Sequence, residues 1–221
     1  MFGKARIRLG LAAIILPLLL IGLSQCSARQ EEMPVIDEVR KTYIVVLDPG
    51  HGGRDVGAAG INGLPEKEFT LSLAQKVRDL FGKEEQIQVY MTRDDDTFIS
   101  TQDGFRPNYA NNLKADLFVS IHGNSFSSAS VSGTESYYHD LSSRQFAAIV
   151  HKHVARATGL RDRGLRRKDL FVLRDTHMPA VLLEIGYLTN PHDERLLGDE
   201  NFQEKVAEAV VRGVKEYLRI P

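Results

Sequence analysis

The sequence predicts an α/β domain whose mostly parallel sheet is covered by helices on both faces. Short apolar runs rich in β-branched residues recur along the chain, as is typical of strands buried on both sides of a sheet. Longer segments between these runs repeat apolar residues at the spacing of amphipathic helices. Buried strands that alternate with such helices indicate a parallel sheet between two helical layers.

The position and the period of the apolar runs predict where the strands lie. Continuous runs predict central strands, whereas residues 86–92 alternate apolar and polar side chains and predict a half-buried strand. In chain order, the predicted strands span residues 43–48, 86–92, 117–121, 133–138, 170–173 and 180–185.

The helices are indicated by apolar residues spaced three or four positions apart. Phe69, Leu73 and Val77 share one face of the first predicted helix, and Gly82 stands just after its end, where glycine commonly terminates a helix. In chain order, the predicted helices span residues 66–81, 106–113, 141–158 and 201–218.

The chain of 221 residues has an ordinary composition, with 43% hydrophobic and 26% charged residues and a net charge of -1. This balance gives no reason to expect a nucleic-acid partner, which usually requires a basic surface. The basic cluster at residues 161–168 is interpreted as a solvated loop. The single cysteine, Cys26, excludes an intrachain disulfide and a zinc site shared between thiolates.

The first residues have the pattern of a targeting signal. Lys4, Arg6 and Arg8 precede an unbroken apolar run at residues 9–23. The run is shorter than the roughly 20 residues of a membrane-spanning helix and matches the apolar region of a signal peptide. It predicts export to the periplasm or the cell envelope.

This pattern divides the chain into three parts. Residues 1–28 are predicted to be a signal segment, residues 29–41 a linker and residues 42–221 the folded domain. Three fates of the signal segment stay open: cleavage after Ala28, lipidation of Cys26 in a lipobox-like sequence, or retention as an anchor. Contact with a membrane is expected only through this segment.

Four polar residues stand at the ends of predicted elements. His51 follows the first predicted strand, His122 follows the third and Glu184 lies at the end of the sixth. Glu66 opens the first predicted helix. Ligands of open α/β sheets bind beyond the carboxyl ends of the strands, so these four side chains are expected to converge there.

The four residue types together indicate metal-dependent hydrolysis. Two histidines and one carboxylate form a standard catalytic zinc set, which His51, Glu66 and His122 would supply. Zinc lowers the pKa of water to about 7, and a second carboxylate must then take the proton and return it to the leaving amine, a role for which Glu184 is free. Taken singly, each residue also fits an ordinary structural role, such as a favourable charge at a helix start.

Other chemistries lack their motifs. The Gly-rich loop at residues 49–54 contains neither of the usual phosphate-binding patterns, G-x-x-x-x-G-K-[ST] and G-x-G-x-x-G. A G-x-S-x-G nucleophile elbow and an H-E-x-x-H zinc helix are also absent from the sequence. His151 is expected to lie at the surface. For Glu135 two interpretations stay open: residues 133–135 line the cleft, or its side chain faces solvent as is usual for a strand glutamate.

The segments around the four residues resemble those of a known family. The matching segments are residues 48–53, 66–67, 92–93, 120–124 and 179–190. Over about residues 43–218, the chain resembles the zinc-dependent N-acetylmuramoyl-L-alanine amidases of the type 3 family. It departs from the common pattern at Gly123, Tyr187 and Thr189, none of which is a proposed ligand.

The resemblance implies a twisted, mixed sheet of about six strands with flanking helices, like that of zinc exopeptidases. It implies zinc bound by His51, Glu66 and His122, with Glu184 as the catalytic acid and base. The implied substrate is peptidoglycan, cleaved between the lactyl group of muramic acid and L-alanine. Some members carry an inhibitory helical insertion between the positions of His122 and Glu184. This stretch is short here, so no activator protein is expected.

Two alternative hypotheses stay open. Another zinc amidohydrolase or an exopeptidase could use the same residues on a different bond. A non-catalytic wall-binding module is the third hypothesis, although the presence of all four proposed site residues speaks against it.

Weaker expectations concern the neighbours of these residues. Arg93 and Arg106 are expected to form structural salt bridges. Asp48 and Asn124 are candidate partners of a ligating histidine, since such a histidine usually needs a hydrogen-bonding group on its other ring nitrogen.

Overall fold

Within the described segment, one six-stranded sheet organises the fold. The computed structural model of the chain describes residues 41–221. The strands are β1 (Tyr43–Pro49), β2 (Ile87–Met91), β3 (Leu117–Asn124), β4 (Thr134–Tyr138), β5 (Asp162–Arg167) and β6 (Ala180–Tyr187). They lie in the order β2-β1-β3-β6-β4-β5.

Six α-helices of the described segment cover this sheet or border it. They are α1 (Glu66–Phe81), α2 (Phe105–Asn112), α3 (Arg144–Thr158), α4 (Phe171–Arg174), α5 (Pro191–Leu197) and α6 (Glu200–Leu218). The long helices α1, α3 and α6 share the larger apolar cluster through Phe69, Phe146 and Val206. The short helices α2 and α4 contribute Ala110 and Val172 to a smaller cluster on the other face. The predicted α/β fold with helices on both faces is confirmed.

The central strands are buried on both faces, as their sequences predicted. Val46 and Leu47 of β1, Val119 of β3 and Leu183 of β6 all have 0% exposure. Val46 belongs to the smaller apolar cluster and Leu47 to the larger one, because successive side chains of a strand point to opposite faces. Burying each such side chain contributes about 1.5–3 kcal/mol.

The six strands of the sheet do not all run in the same direction. β2, β1, β3 and β6 run parallel, but β4 is antiparallel to β6 and β5 runs parallel to β4. The reversal sets Glu135 of β4 directly opposite Glu184 of β6. Both carboxylates share a face with Tyr137 and Leu182 of the smaller cluster, since side chains two positions apart on a strand point the same way.

Three elements differ from the sequence predictions. Residues 170–173 were predicted as a strand but lie in and beside helix α4, where Val172 and Leu173 pack into the smaller cluster. The basic cluster forms the edge strand β5, whose backbone pairs with β4 while most of its cationic side chains stay exposed. Helix α5 was missed, although Asn190 caps it by accepting hydrogen bonds from two backbone N–H groups of its first turn.

The predictions for the amino-terminal residues concern a part of the chain that the structure does not describe. The predicted signal segment with Cys26 and the linker up to residue 40 lie outside the described residues. The described residues belong to the compact unit Arg40–Pro221. Within residues 41–221, no helix combines the length and the apolar character that crossing a bilayer requires.

Replacing Gly213 by alanine is expected to destabilise the protein by about 1–3 kcal/mol, as overpacking of a close contact does. An added Cβ at Gly213 of α6 would lie 2.8 Å from the Cα of Val150 on α3. Alanine itself favours a helix over glycine by about 1 kcal/mol, so a net loss would measure the clash. Chemical denaturation checks this prediction, with alanine at the exposed Glu208 of the same helix as the control. A more stable G213A variant would contradict the close packing of the two helices.

Candidate metal centre

The loop after β1 brings His51 to the carboxyl end of the central strands. His51 has a φ of 62°, in the left-handed region that residues with a Cβ rarely adopt. Two arginines hold this loop: Arg106 donates to the carbonyl of His51 over 2.7 Å, and Arg93 donates to the carbonyl of Gly50 over 2.8 Å. A backbone held in a sparsely populated conformation by its surroundings is a frequent property of functional sites.

Two glycines permit the close approach of the site residues. A Cβ at Gly50 would lie 2.2 Å from the imidazole of His122, and a Cβ at Gly57 would lie 2.6 Å from the ring of His51. The Gly57 Cβ would also lie 2.7 Å from the side chain of Glu66. No larger residue fits either position without moving a proposed ligand, which gives these glycines a steric role.

The structure brings the three predicted ligands together. His51 Nε2 lies 3.1 Å from Glu66 Oε2, and His122 Nδ1 lies 2.8 Å from Glu66 Oε1. The three ligand atoms all lie within 4.8 Å of one another, so the group could hold one metal ion. The two imidazole rings meet edge to face with their centroids 5.1 Å apart.

Glu66 provides a negative charge at the centre of this group. Its Oε2 accepts a hydrogen bond from the Ala58 N–H over 2.8 Å, and its Oε1 accepts one from the Gly123 N–H over 3.1 Å. Burial raises its pKa, but the bonds to His122 and His51 outweigh burial and hold the pKa far below its usual range. A buried carboxylate requires a neighbouring positive charge, and this nitrogen and oxygen donor set fits zinc.

Asp55 is the second partner of His51. Its Oδ1 lies 3.0 Å from His51 Nδ1, on the opposite side of the ring from Glu66. Burial lowers the pKa of His51, but the adjacent carboxylates of Glu66 and Asp55 outweigh burial and raise it. An acidic group on the outer nitrogen is a common orienting partner of a metal-binding histidine. Sequence reasoning missed Asp55, although it lies only four residues after His51.

Asp48 does not orient a histidine and instead anchors the loop structure. It is fully buried and accepts hydrogen bonds from Arg106, Thr92 and Ser120 over 2.6–2.7 Å. Burial raises its pKa, but the charge of Arg106 and these bonds outweigh burial and lower it. The predicted salt bridge of Arg106 is confirmed. Arg93 forms no carboxylate pair within residues 41–221 and donates mainly to backbone carbonyls.

Glu184 lies next to the histidines but within β6 rather than at its end. It is in register with His122 on β3, and the strand continues to Tyr187. Its Oε2 is buried and has no hydrogen-bond partner in the described part of the chain. Burial raises the pKa of Glu184 well above its usual value, and the negative charges of Glu66 and Glu135 raise it further. The carboxyl is therefore disposed to carry a proton.

Glu135 is buried, which corrects the interpretation that it faces solvent. Its Oε1 accepts hydrogen bonds from Asn124 over 2.6 Å and from the Tyr187 hydroxyl over 2.5 Å. Its Oε2 accepts one from Arg166 over 3.0 Å. Burial and the bond to Glu135 raise the pKa of Tyr187 to about 12, so the tyrosine remains a donor. Asn124 thus binds Glu135 and is not a partner of a ligand histidine.

A cavity of about 250 Å³ lies over these residues, on the face of the sheet that α2 and α4 cover. Its lining includes His51, His122, Glu184, Lys168, Phe171 and Leu182. The lining therefore combines two proposed ligands and the buried carboxyl with apolar side chains and a lysine. This mixture suits a substrate with a polar reacting bond and an apolar neighbour.

His151 is buried, contrary to the expectation that it lies at the surface of α3. Its Nδ1 lies 2.9 Å from the Ser136 hydroxyl, and its Nε2 lies 2.9 Å from Asp162. These are the residue types of a hydrolytic triad, but Ser136 has 0% exposure and no substrate can reach it. The three side chains therefore link α3 to β4 and β5.

The first turn of α5 anchors two loops near the site. Asp193 accepts hydrogen bonds from the Ser132 hydroxyl over 2.7 Å and the Gly133 N–H over 3.0 Å. Glu194 accepts hydrogen bonds from the Asn62 N–H over 2.8–2.9 Å. The two anchored loops lead into β4 and into α1, which carry Glu135 and Glu66.

The fold and the site together have the parts of a metal-dependent hydrolase. A His–Glu–His donor set lies beside a buried carboxyl, and His51, His122 and Glu184 line one cavity on an α/β sheet. The family described as N-acetylmuramoyl-L-alanine amidase, Amidase_3, matches residues 45–216. The chain belongs to this N-acetylmuramoyl-L-alanine amidase family, which confirms the resemblance seen in its sequence.

Solved and curated relatives agree with this membership. The catalytic domain of CwlV, an N-acetylmuramoyl-L-alanine amidase from Bacillus (Paenibacillus) polymyxa var. colistinus, is 46% identical with a TM-score of 0.79. The match covers 81% of this chain and 100% of that domain. The probable cell wall amidase LytH of Staphylococcus epidermidis is 37% identical over 80% of this chain, which spans only 59% of LytH.

A third relative was solved with a partner. The CwlD amidase from Clostridioides difficile, in complex with the GerS lipoprotein, is 29% identical with a TM-score of 0.74. The match covers 80% of this chain and 99% of CwlD.

Proposed function

We propose that the protein is a zinc-dependent amidase that hydrolyses the bond between the lactyl group of muramic acid and L-alanine of the peptidoglycan stem. The observation that carries this proposal is the clustering of His51, Glu66 and His122, whose ligand atoms lie within 4.8 Å of one another. Family membership supports the choice of bond. The nitrogen and oxygen donors support zinc as the metal.

The proposed ligands and their partners prepare the site. Zinc, when bound, supplies a Lewis acid that polarises the scissile carbonyl and increases the acidity of water. Glu66 is held ionised between the two imidazoles and would hold the cation together with His51 and His122. Asp55 lies 3.0 Å from the outer nitrogen of His51 and would orient its ring.

Glu184 moves the proton in this proposal. In its ionised form, its unpartnered Oε2 accepts a proton from the attacking water as the new carbon–oxygen bond forms. It returns that proton to the amide nitrogen as the carbon–nitrogen bond breaks, and L-alanine leaves with a free amino group. A carboxyl whose pKa is raised by burial and by nearby negative charges suits a group that must both accept and donate a proton near neutral pH.

The location and partners follow from the same proposal. Peptidoglycan lies outside the cytoplasmic membrane, so we propose that the chain acts in the periplasm or the cell envelope, exported by residues 1–28. Membrane contact would occur only through that segment, and Cys26 is its candidate lipidation site. We further propose that no activator protein is required. The core elements β4, α3, β5 and α4 fill the stretch between His122 and Glu184 in the described structure and leave the cavity open.

Digestion of purified peptidoglycan by the full chain, with zinc and no added protein, is expected to release stem peptides that begin with a free L-alanine amino group. Mass spectrometry of the products identifies the cleaved bond. Cuts within the stem peptide would indicate an exopeptidase instead. Binding to the polymer without any released product would indicate a wall-binding module. The exposed Glu208→Gln variant, distant in sequence from all site residues, is the matched control for protein quality.

A further inference from the structure

The basic side chains of β5 are almost all engaged by other groups of the protein. Arg166 forms an ion pair with Glu135 at 3.0 Å. Arg167 donates to the carbonyl of His139 over 2.7 Å and points away from the buried carboxylates. These contacts give both arginines a structural role at the edge of the sheet.

Lys168 differs from these arginines. Its backbone N–H donates to the carbonyl of Tyr138 over 2.9 Å, which fixes the position where the chain leaves β5. Its ammonium group lies 4.4 Å from the centre of the Tyr137 ring. Within residues 41–221, no carboxylate forms an ion pair with this ammonium. Lys168 also lines the cavity that contains His122 and Glu184.

The position of this ammonium is restricted rather than free. An aromatic face attracts a cation within about 6 Å of its centre, so the Tyr137 ring favours a position of the exposed Lys168 head beside the cavity that this residue lines. Tyr137 is itself buried in the smaller apolar cluster and cannot move easily. Within the described residues, the cavity therefore offers one positive charge that forms no ion pair, although it lies near enough to Glu184 to oppose the rise of that carboxyl's pKa.

We propose that Lys168 binds a carboxylate of the substrate, on the peptide side of the scissile bond. The inference rests on the proposed amidase function and adds a recognition site for the acidic residue that follows L-alanine. The carboxylates of a stem peptide all lie on this side of the bond, whereas the sugar side presents hydroxyl and acetamido groups. The carboxylates near Glu184 would repel such a group, and the other cation of the cavity lining, Arg106, is already paired with Asp48.

This contact would fix the direction of the substrate in the cleft. The scissile bond would lie at His51, His122 and Glu184, and the peptide would extend along Phe171 toward Lys168. The glycan would then leave on the opposite side of the cavity. A charge-assisted hydrogen bond to a carboxylate changes affinity by about tenfold or more, and this sets the size of the expected effect.

Two matched substrates test the proposal. One is a muramoyl tripeptide whose second amino acid has a free α-carboxylate, and the other is the same compound with that group as a carboxamide. The wild-type chain is expected to cleave the carboxylate form with a kcat/KM at least about tenfold higher, mainly through KM. The Lys168→Gln variant is expected to lose this preference, and the Arg167→Gln variant is expected to keep it.

The outcomes separate the possible roles of Lys168. A preference that persists in Lys168→Gln, or a wild-type chain without any preference, overturns the proposal. An equal loss of activity on both compounds also overturns it, because Lys168 would then act through Glu184.

Failure of the amidase function itself gives a different result, namely that the wild-type chain cleaves neither compound. In that case, calorimetry measures the binding of the two compounds to the Glu184→Gln variant and to the Glu184→Gln, Lys168→Gln double variant. This experiment tests the contact between Lys168 and the substrate carboxylate without requiring catalysis. Tighter binding of the carboxylate form that depends on Lys168 supports the contact, and equal binding of the two forms overturns it.

Discussion

Replacing Glu184 by glutamine is expected to lower the rate of amide hydrolysis by about a hundredfold to ten-thousandfold while the zinc content stays unchanged. Glutamine has the same shape as a protonated glutamic acid but cannot accept a proton from water or return it to the amine. The side chain does not belong to the proposed ligand set, so metal binding should not depend on it. Rates of peptide release and metal analysis of the same preparation measure both effects.

The control for this variant is Glu208→Gln, which changes an exposed residue of α6 in the same chemical way. Thermal unfolding of Glu184→Gln is expected to resemble that of the wild type, because Oε2 makes no hydrogen bond that the substitution would break. Hydrolysis at close to the wild-type rate would remove Glu184 from the mechanism. Loss of zinc from this variant would show that its carboxylate belongs to the metal site.

The Glu66→Gln variant is expected to lose bound zinc and at least about a thousandfold of the hydrolysis rate, since a metal supplies several kcal/mol of charge stabilisation in the transition state. The neutral amide cannot supply the charge that now lies between His51 and His122. Treating the wild type with a chelator is expected to produce the same loss. Restoring zinc should recover the activity of the wild type but not of the variant.

Glu68→Gln is a matched control for this experiment, because Glu68 lies in the same first turn of α1 but is exposed. It should keep its zinc and its activity. Thermal unfolding gives a second measurement: bound zinc at a thousand times its dissociation constant stabilises a protein by about 4 kcal/mol. Removing zinc should therefore lower the melting temperature of the wild type and leave that of Glu66→Gln unchanged. A chelator without effect on rate or melting temperature would contradict the metal site.

The strong apolar patterns predicted most of the fold. The bounds of α1 agree with the prediction at both ends: the helix begins at Glu66, one turn before the first apolar residue of the repeat, Phe69, and Gly82 follows its end. The central strands β1, β3 and β6 were also predicted, because burial on both faces requires continuous apolar runs that are visible in the sequence. Long elements with a strong apolar period could therefore be predicted without knowledge of the tertiary structure.

The remaining elements could not be predicted for identifiable physical reasons. In β5, Leu165 is the main apolar side chain, and an edge strand with a polar surface has no pattern that separates it from a loop. The apolar run at residues 170–173 is too short for its period to distinguish a strand from a helical turn. The direction of β4 relative to β6 depends on the connections from β3 to β4 and from β5 to β6, and not on the sequence of the strand.

The proposed ligands were easier to find than the residues that support them. His51 and His122 stand after apolar strands, so the rule for ligand sites in open sheets predicted their convergence. Glu135 has no such signal, because its burial depends on the antiparallel pairing of β4 with β6. The partners of Asp48 and Asp55 likewise could not be predicted, because their contacts with Arg106 and His51 form only when the chain is folded.

The first turn of α5 has a consequence for how the protein loses activity on heating. Asp193 holds the segment before β4, and Glu194 holds the segment before α1, so the strand that carries Glu135 and the helix that carries Glu66 both depend on one short helix. Heating that opens this helix would release both segments at once, while the central strands stay paired. The upper temperature limit of catalysis would then be set by seven residues, Pro191–Leu197, and would lie below the melting of the sheet.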